Sequence, residues 1–312
     1  MRYDQPVIKQ NIAKSIEKNY GITVDTIEFI PVGEESYAYI ILDKNKNKYF
    51  AKFCDNKDVI GNIDMANKIL LRLKHLDFVV PPIEVDGQTS FALLKGKLYL
   101  FPYVDGENVS LGNHEWNKIL ISKIVDIMVK IHKSTQLIDF TLPKEQFENH
   151  FAERLDRLLD LIKIKPDDDK EISQLLTKNE ILIRKIIDQH TELGRKYKKS
   201  DVQFVLTHGD ITGLNIIDTG KSLKLVDWDG AMLAPAERDI NFFSSNPHFS
   251  IAEYLKKTGK NQYFPELRSY YGQQWSLDSI IGNFETLLSE KSKYVDRKES
   301  IDEIKKYLSY YN

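Results

Sequence analysis

A single cysteine, Cys54, stands in 312 residues, so no internal disulfide is possible and a reducing compartment is expected. No segment approaches the roughly 20 consecutive apolar residues that cross a bilayer. The opening Met1-Arg-Tyr-Asp-Gln-Pro6 lacks the apolar core of a signal peptide, and the protein is expected to be cytoplasmic, with no membrane partner. Neither sign of charge dominates: 44 Lys and Arg face 46 Asp and Glu, for a net charge of −2. That balance lacks the basic surplus of a nucleic-acid binder, and no nucleic-acid partner is expected. Internal repeats and low-complexity tracts are also missing. What is present is an apolar fraction of 42%, enough for the core of one large domain or two modest ones.

The pattern changes character along the chain. Residues 5–20 read as an amphipathic helix, with Ile8, Ile12 and Ile16 at i, i+4 and Gly21 as its stop. Strands are predicted over 26–31, 37–42 and 49–53, followed by a helix over 59–75 that Pro81-Pro82 ends. Two further strands, 91–94 and 98–103, are joined through Lys95-Gly-Lys97. The first hundred residues thus predict a five-stranded, mostly antiparallel sheet with one inserted helix. Asp105-Gly-Glu-Asn108 marks the boundary, giving an N-terminal lobe over 1–104, a linker over 105–112 and a helical lobe over 113–312. Helices are expected over 116–133, 143–163, 170–197, 277–288 and 301–310.

One hairpin interrupts the helical part. Val205-Leu-Thr-His-Gly-Asp210 runs into a loop, a strand, the Thr219-Gly-Lys221 turn and a second strand that ends at Asp227. The turn brings Asp227 back to Asn215, so two carboxylates and an amide gather at one point. That set suits a hard divalent cation with one carboxylate left as a base. Asp210 precedes Asn215 by five positions, the Asp-to-Asn spacing of the kinase catalytic loop. Asp210 is therefore the candidate base, and Asn215 and Asp227 the candidate metal ligands. An ordinary polar turn would also contain His-Gly-Asp, but it would not explain the joint spacing. Lys52, in Tyr49-Phe-Ala-Lys52, resembles the lysine of the kinase third strand and is the candidate phosphate-binding cation. The alternative is an exposed strand lysine. The loop from Pro31 to Ser36 holds one glycine and does not match a glycine-rich phosphate loop, which leaves Ser36 and backbone amides to touch phosphate. Asp64 is the best-placed acid on the following helix to pair with Lys52.

His208-Gly-Asp210 with Asn215, then Val226-Asp-Trp-Asp229, then Pro235-Ala-Glu-Arg-Asp239, resembles the aminoglycoside phosphotransferase family of kinase-like enzymes. The tract Leu225-Val-Asp-Trp-Asp-Gly-Ala-Met-Leu-Ala-Pro-Ala-Glu-Arg-Asp-Ile240 is most similar to the spectinomycin phosphotransferase branch. The resemblance implies an α+β, two-lobed, protein-kinase-like fold that binds ATP or GTP with Mg2+. It implies that Lys52 holds the α and β phosphates and that backbone groups of Phe101, Pro102, Tyr103 and Val104 meet the purine. Asp239 would brace the catalytic loop, and Asp229 would be a supporting residue rather than a direct metal ligand. The acceptor would be a small molecule with a hydroxyl group, the protein a monomer. Glu237, Tyr263, Tyr270, Tyr271, Trp275 and Glu285 are acceptor-site candidates, since acids and aromatics suit a cationic amino-sugar; core packing for the aromatics and a solvated face for the acids is the stronger reading of them. Phosphorylation of an aminocyclitol or aminoglycoside antibiotic, hence resistance, is the leading expectation. A kinase of a choline-, homoserine- or thioribose-like metabolite and a non-catalytic binding module are the alternatives.

Overall fold

The computed structural model describes residues 6–31, 36–110, 115–164, 169–260, 262–290, 292 and 295–312. The chain divides into two compact units, Met1–Lys144 with Val205–Asn261, and Glu145–Phe204 with Gln262–Asn312.

The first unit opens with helix α1 (Pro6–Tyr20) and strands β1 (Val24–Ile30), β2 (Tyr37–Asp43) and β3 (Lys48–Cys54). Helix α2 (Lys57–Arg72) precedes β4 (Ser90–Leu93) and β5 (Gly96–Pro102). The five strands form the expected antiparallel sheet, in the order β1-β2-β3-β5-β4. The two faces of this sheet do different work. Ile8, Ile12 and Ile16 of α1 bury one face against Tyr37, Tyr39, Ile41, Ala51, Phe53, Leu98 and Leu100. On the other face Ala38 stands across from Lys52, and Lys52 across from Tyr99. There Val59 and Ile63 of α2 cover Cys54 and Tyr99. Asn56 caps α2 by accepting from the Asp58 amide. The helix stops at Arg72, short of the residue 75 that periodicity suggests.

The stretch read as a linker is partly strand. β6 (Glu107–Asn108) pairs antiparallel with β8 (Ile216–Asp218), which pairs with β9 (Leu223–Leu225). Gly106 makes this approach possible, because a Cβ there would lie 2.5 Å from the Asp218 carbonyl oxygen. Helix α3 (Lys118–Lys133) starts at its cap Asn117, which accepts from the amides of Ile119 and Leu120. β7 (Phe204–Thr207) pairs with β10 (Met232–Pro235), and short helices α6 (Glu237–Ile240) and α7 (Ile251–Thr258) close the unit.

The second unit is helical: α4 (Phe151–Ile164), α5 (Lys170–Lys198), α8 (Pro265–Leu287) and α9 (Arg297–Ser309). Leu155, Ile183, Ile187, Ile280, Phe284 and Ile304 lie at the centre of its core. A helix expected from residue 143 begins only at Phe151. Phe147 takes a positive φ of 56°, which no helix admits, and the Asn149 side chain then accepts from the Phe151 amide. Conversely α8 starts at Pro265, twelve residues before the expected 277, because proline is well suited to a first turn. No helix among the described residues is long and apolar enough to cross a membrane.

Candidate active site

The loop after β7 is fixed from behind. Asp239, fully buried on α6, accepts the amide of His208 at 3.0 Å and the amide of Gly209 at 2.7 Å. His132 of α3 reaches the same carboxylate through Nε2 at 3.0 Å, and its Nδ1 lies 2.6 Å from the Tyr254 hydroxyl on α7. Burial pushes the Asp239 carboxyl up, but the bond from His132 and the nearby positive groups outweigh it and hold it below the ordinary carboxylate range. Gly209 has φ of +89°, and a Cβ there would fall 2.1 Å from the Arg238 guanidinium, which itself donates to Thr207 at 3.0 Å. Only glycine fits that step of the chain.

His208 ties the loop to the hairpin. Its Nδ1 accepts the Asp210 amide at 3.2 Å, so Nε2 carries the proton and donates to the Val226 carbonyl at 3.1 Å. Burial depresses its pKa and keeps it neutral. Its ring meets the buried Trp228 edge-on, with centroids 4.9 Å apart.

Asp210 thus presents a half-buried carboxylate. Oδ2 accepts from Asn215 Nδ2 at 2.7 Å, and the same amide nitrogen donates to the Asp210 carbonyl at 3.0 Å. Oδ1 is buried with no hydrogen-bond partner among the described residues. Burial raises the Asp210 pKa, and the bond from Asn215 offsets only part of that. Asn215 has committed its nitrogen, which leaves its oxygen as the atom for a cation. Its main-chain carbonyl accepts the Val226 amide at 2.9 Å, next to Asp227.

Asp227 sits in the left-handed region, φ 61° and ψ 65°, between β9 and a 3₁₀ turn, Trp228–Gly230. An aspartate adopts this conformation at a cost of about 1 kcal/mol. Trp228 anchors the turn by donating its indole N–H to the Leu225 carbonyl at 3.1 Å. Lys52 Nζ lies 2.9 Å from Asp227 Oδ1 and 2.6 Å from Asp229 Oδ2. Burial opposes the charge on Lys52, but the two carboxylates overcome it and hold the ammonium above the usual lysine range. The same pairing holds Asp227 below the ordinary carboxylate value although burial pushes it up.

The remaining candidates fall elsewhere. Asp64 does not pair with Lys52. It accepts from Lys97 at 2.7 Å and from the Tyr99 hydroxyl at 3.0 Å, and Tyr99 is the residue across the ladder from Lys52. Ser36 is buried just before β2, in line with Ala38 on the Lys52 face, while residues 32–35 of its loop lie outside the described residues. The Tyr103 amide donates to the Lys48 carbonyl at 3.3 Å, and Phe101 faces Phe50 across the ladder. Glu237 is buried on α6. Tyr270 and Tyr271 lie in an aromatic cluster with Phe147 and Tyr197, Glu285 pairs with Arg154 at 2.8 Å, the Trp275 indole donates to Tyr307, and Tyr263 is half-buried ahead of α8. His132, Tyr254 and the direct contact of Asp229 went unread in the sequence. A histidine on an apolar helix face is a signal for the first; nothing local marks the second.

Among the described residues no group of three or more His, Cys, Asp or Glu side chains is arranged to hold a metal ion. The amide of Asn215 and the carboxylate of Asp227 make a small oxygen set instead. It fits a hard cation that takes its other ligands from phosphate and water.

A sheet lysine beside a hairpin that carries a carboxylate base candidate and oxygen ligands for a cation is the set of parts that phosphoryl transfer uses. The model of the phosphotransferase enzyme family matches residues 26–273, and the chain belongs to that family of small-molecule phosphotransferases. Among curated protein sequences no match was found. Among solved structures, spectinomycin phosphotransferase APH(9)-Ia, in complex with ADP and spectinomycin, is similar over 97% of this chain and 95% of its own, with 23% identity and a TM-score of 0.77. Amicoumacin kinase hAmiN, in complex with AMP-PNP, Ca2+ and Ami, is 15% identical over 98% and 92%, TM-score 0.64. An ethanolamine kinase from Plasmodium vivax is 17% identical over 98% and 90%, TM-score 0.60. At these identities the likeness is one of fold, the kinase-like α+β architecture.

Proposed function

We propose that the protein transfers the γ-phosphoryl group of ATP or GTP, with Mg2+, to a hydroxyl of an aminocyclitol or aminoglycoside antibiotic such as spectinomycin, and so confers resistance in the cytoplasm. The observation that carries the chemistry is the Asp210 carboxylate, with Oδ2 held by Asn215 and Oδ1 without a hydrogen-bond partner among the described residues. Asp210 orients the acceptor hydroxyl and takes its proton late in a loose transition state. Asn215, by fixing the other oxygen, aims it. Asn215 and Asp227 would hold Mg2+, which would supply charge neutralisation when bound. Lys52 neutralises the α and β phosphates from the sheet side, with Ser36 beside them.

The purine is proposed to meet the edge of β5. Odd-numbered positions there turn to β3, as Tyr103 does, and Leu100 gives its carbonyl to Ile83 on the opposite side. Alternation leaves the Pro102 carbonyl and the Val104 amide on that opposite side, an acceptor and a donor two residues apart.

The spectinomycin reading is supported by the tract 225–240 and by the TM-score of 0.77. A second reading, a kinase of a small amino-alcohol metabolite, is supported by the ethanolamine and choline kinases among the similar structures. Incubation with ATP, Mg2+ and spectinomycin should add the mass of one phosphate to the drug. Phosphorylation of ethanolamine or choline with none on spectinomycin would reverse the order. Asp210→Asn should lower kcat by about 10²–10⁴-fold while ADP binding persists; near-normal turnover would remove Asp210 as the base.

A further inference from the structure

We propose that Asp229, and not an acid on α2, is the residue that positions Lys52 for the nucleotide phosphates. The inference rests on the reading of Lys52 and Asp227 given above. α2 carries two acids, Asp58 in its first turn and Asp64. Asp64 is held by Lys97 and by the hydroxyl of Tyr99, so the strand neighbour of Lys52 takes the acid that would otherwise reach it. Lys52 instead has two carboxylates from the hairpin, and they are not equivalent. The Asp227 side chain is 51% exposed and the Asp229 side chain 26%. The Asp229 contact is also the shorter, 2.6 Å against 2.9 Å.

The Asp227 contact cannot survive loading unchanged. A carboxylate that turns to a divalent cation brings that cation's charge toward the ammonium, and the two repel. The Asp229 contact has no such conflict. Its support is rigid: the buried Trp228 pins the 3₁₀ turn, and the Ala231 amide closes it on the Trp228 carbonyl at 2.9 Å. One turn therefore presents one carboxylate to the metal and the carboxylate two residues on to the lysine. Lysine and metal share a single support in the chain, so their separation is set by that turn and not by the placement of α2.

The test is a double-mutant cycle on the full-length protein. ADP affinity is read by titration calorimetry, and kcat and KM for ATP are read with Mg2+ in excess. Asp229→Asn should lower kcat/KM for ATP by about tenfold or more, the worth of one charge-assisted bond. Asp229→Glu should recover part of it. Asp64→Asn should cost less than Asp229→Asn. In a Lys52→Met background Asp229→Asn should change neither ADP affinity nor kcat/KM further, since its partner is gone. Thermal melts establish which variants are folded; if Asp229→Asn is not, Asp229→Ser in both backgrounds completes the cycle. Additive losses in the cycle would overturn the inference, as would recovery of Asp229→Asn by raised Mg2+, which marks a metal ligand, or a larger loss at Asp64→Asn. If Lys52→Met binds ADP and turns over like the unaltered protein, the reading of Lys52 falls and the inference with it. If Lys52→Met is impaired and Asp229→Asn is not, the inference alone falls.

Discussion

His132 in the first unit and His190 in the second are both buried, and the two are treated in opposite ways. In the first, His132 is bonded at both ring nitrogens, to Asp239 and Tyr254, and the carboxylate it supports holds the backbone amides of His208 and Gly209. In the second, His190 of α5 is fully buried with neither nitrogen partnered among the described residues. It stacks on Tyr270 with centroids 4.2 Å apart and meets Phe151 edge-on at 5.4 Å. Burial alone pushes its pKa down to about 4. The contrast separates two uses of a polar ring. Where chemistry must be positioned, the desolvation of a charge is offset by bonds that fix the backbone. Where only a helical core must be filled, the ring packs as an aromatic and its desolvation is left unrelieved.

The comparison breaks first at Asp239. Asp239→Ala strands two loop amides and His132 without their acceptor, and should lower unfolding free energy by about 3–5 kcal/mol in urea titrations. A loss no larger than that of a surface residue would deny it a bracing role. His190 comes next. Above about pH 6.5 its ring is neutral both folded and unfolded, and its titration adds nothing. Between there and about pH 4 the unfolded chain binds a proton that the folded chain refuses, so stability falls as pH falls. The loss reaches roughly 3 kcal/mol near pH 4. His190→Phe should flatten that part of the unfolding midpoint against pH; an unchanged slope would show that His190 has a partner after all. The smallest effect sharpens the contrast within the first unit. Tyr254→Phe leaves His132 Nδ1 buried and unpaired, for a loss of about 1–3 kcal/mol in the same titrations. A neutral result would shorten the bracing chain to His132 and Asp239.

The sequence made the sheet legible because strand alternation and glycine turns are local signals. β2, β3 and β5 lie where Tyr37, Lys52 and Leu98 placed them. The hairpin was equally plain, since Thr219-Gly-Lys221 permits one return path and Asp227 must then pass Asn215. What stayed hidden depends on partners distant in the chain. Asp64 lies on α2 as expected, but its choice between Lys52 and Lys97 is settled by Tyr99 across the ladder. The start of α4 turns on a single positive φ at Phe147. Tyr254 matters only because α7 brings it to His132, more than a hundred residues away in sequence.

The pairing of β6 with β8 has a dynamic consequence. The Val109 amide donates to the Ile216 carbonyl at 2.9 Å, so the segment after the sheet is a third strand beside the β8–β9 hairpin. Its protection from solvent exchange lasts only while the hairpin stays closed. The dependence runs one way: when the hairpin opens, the segment that leads out of the five-stranded sheet loses its hydrogen-bond partner with it.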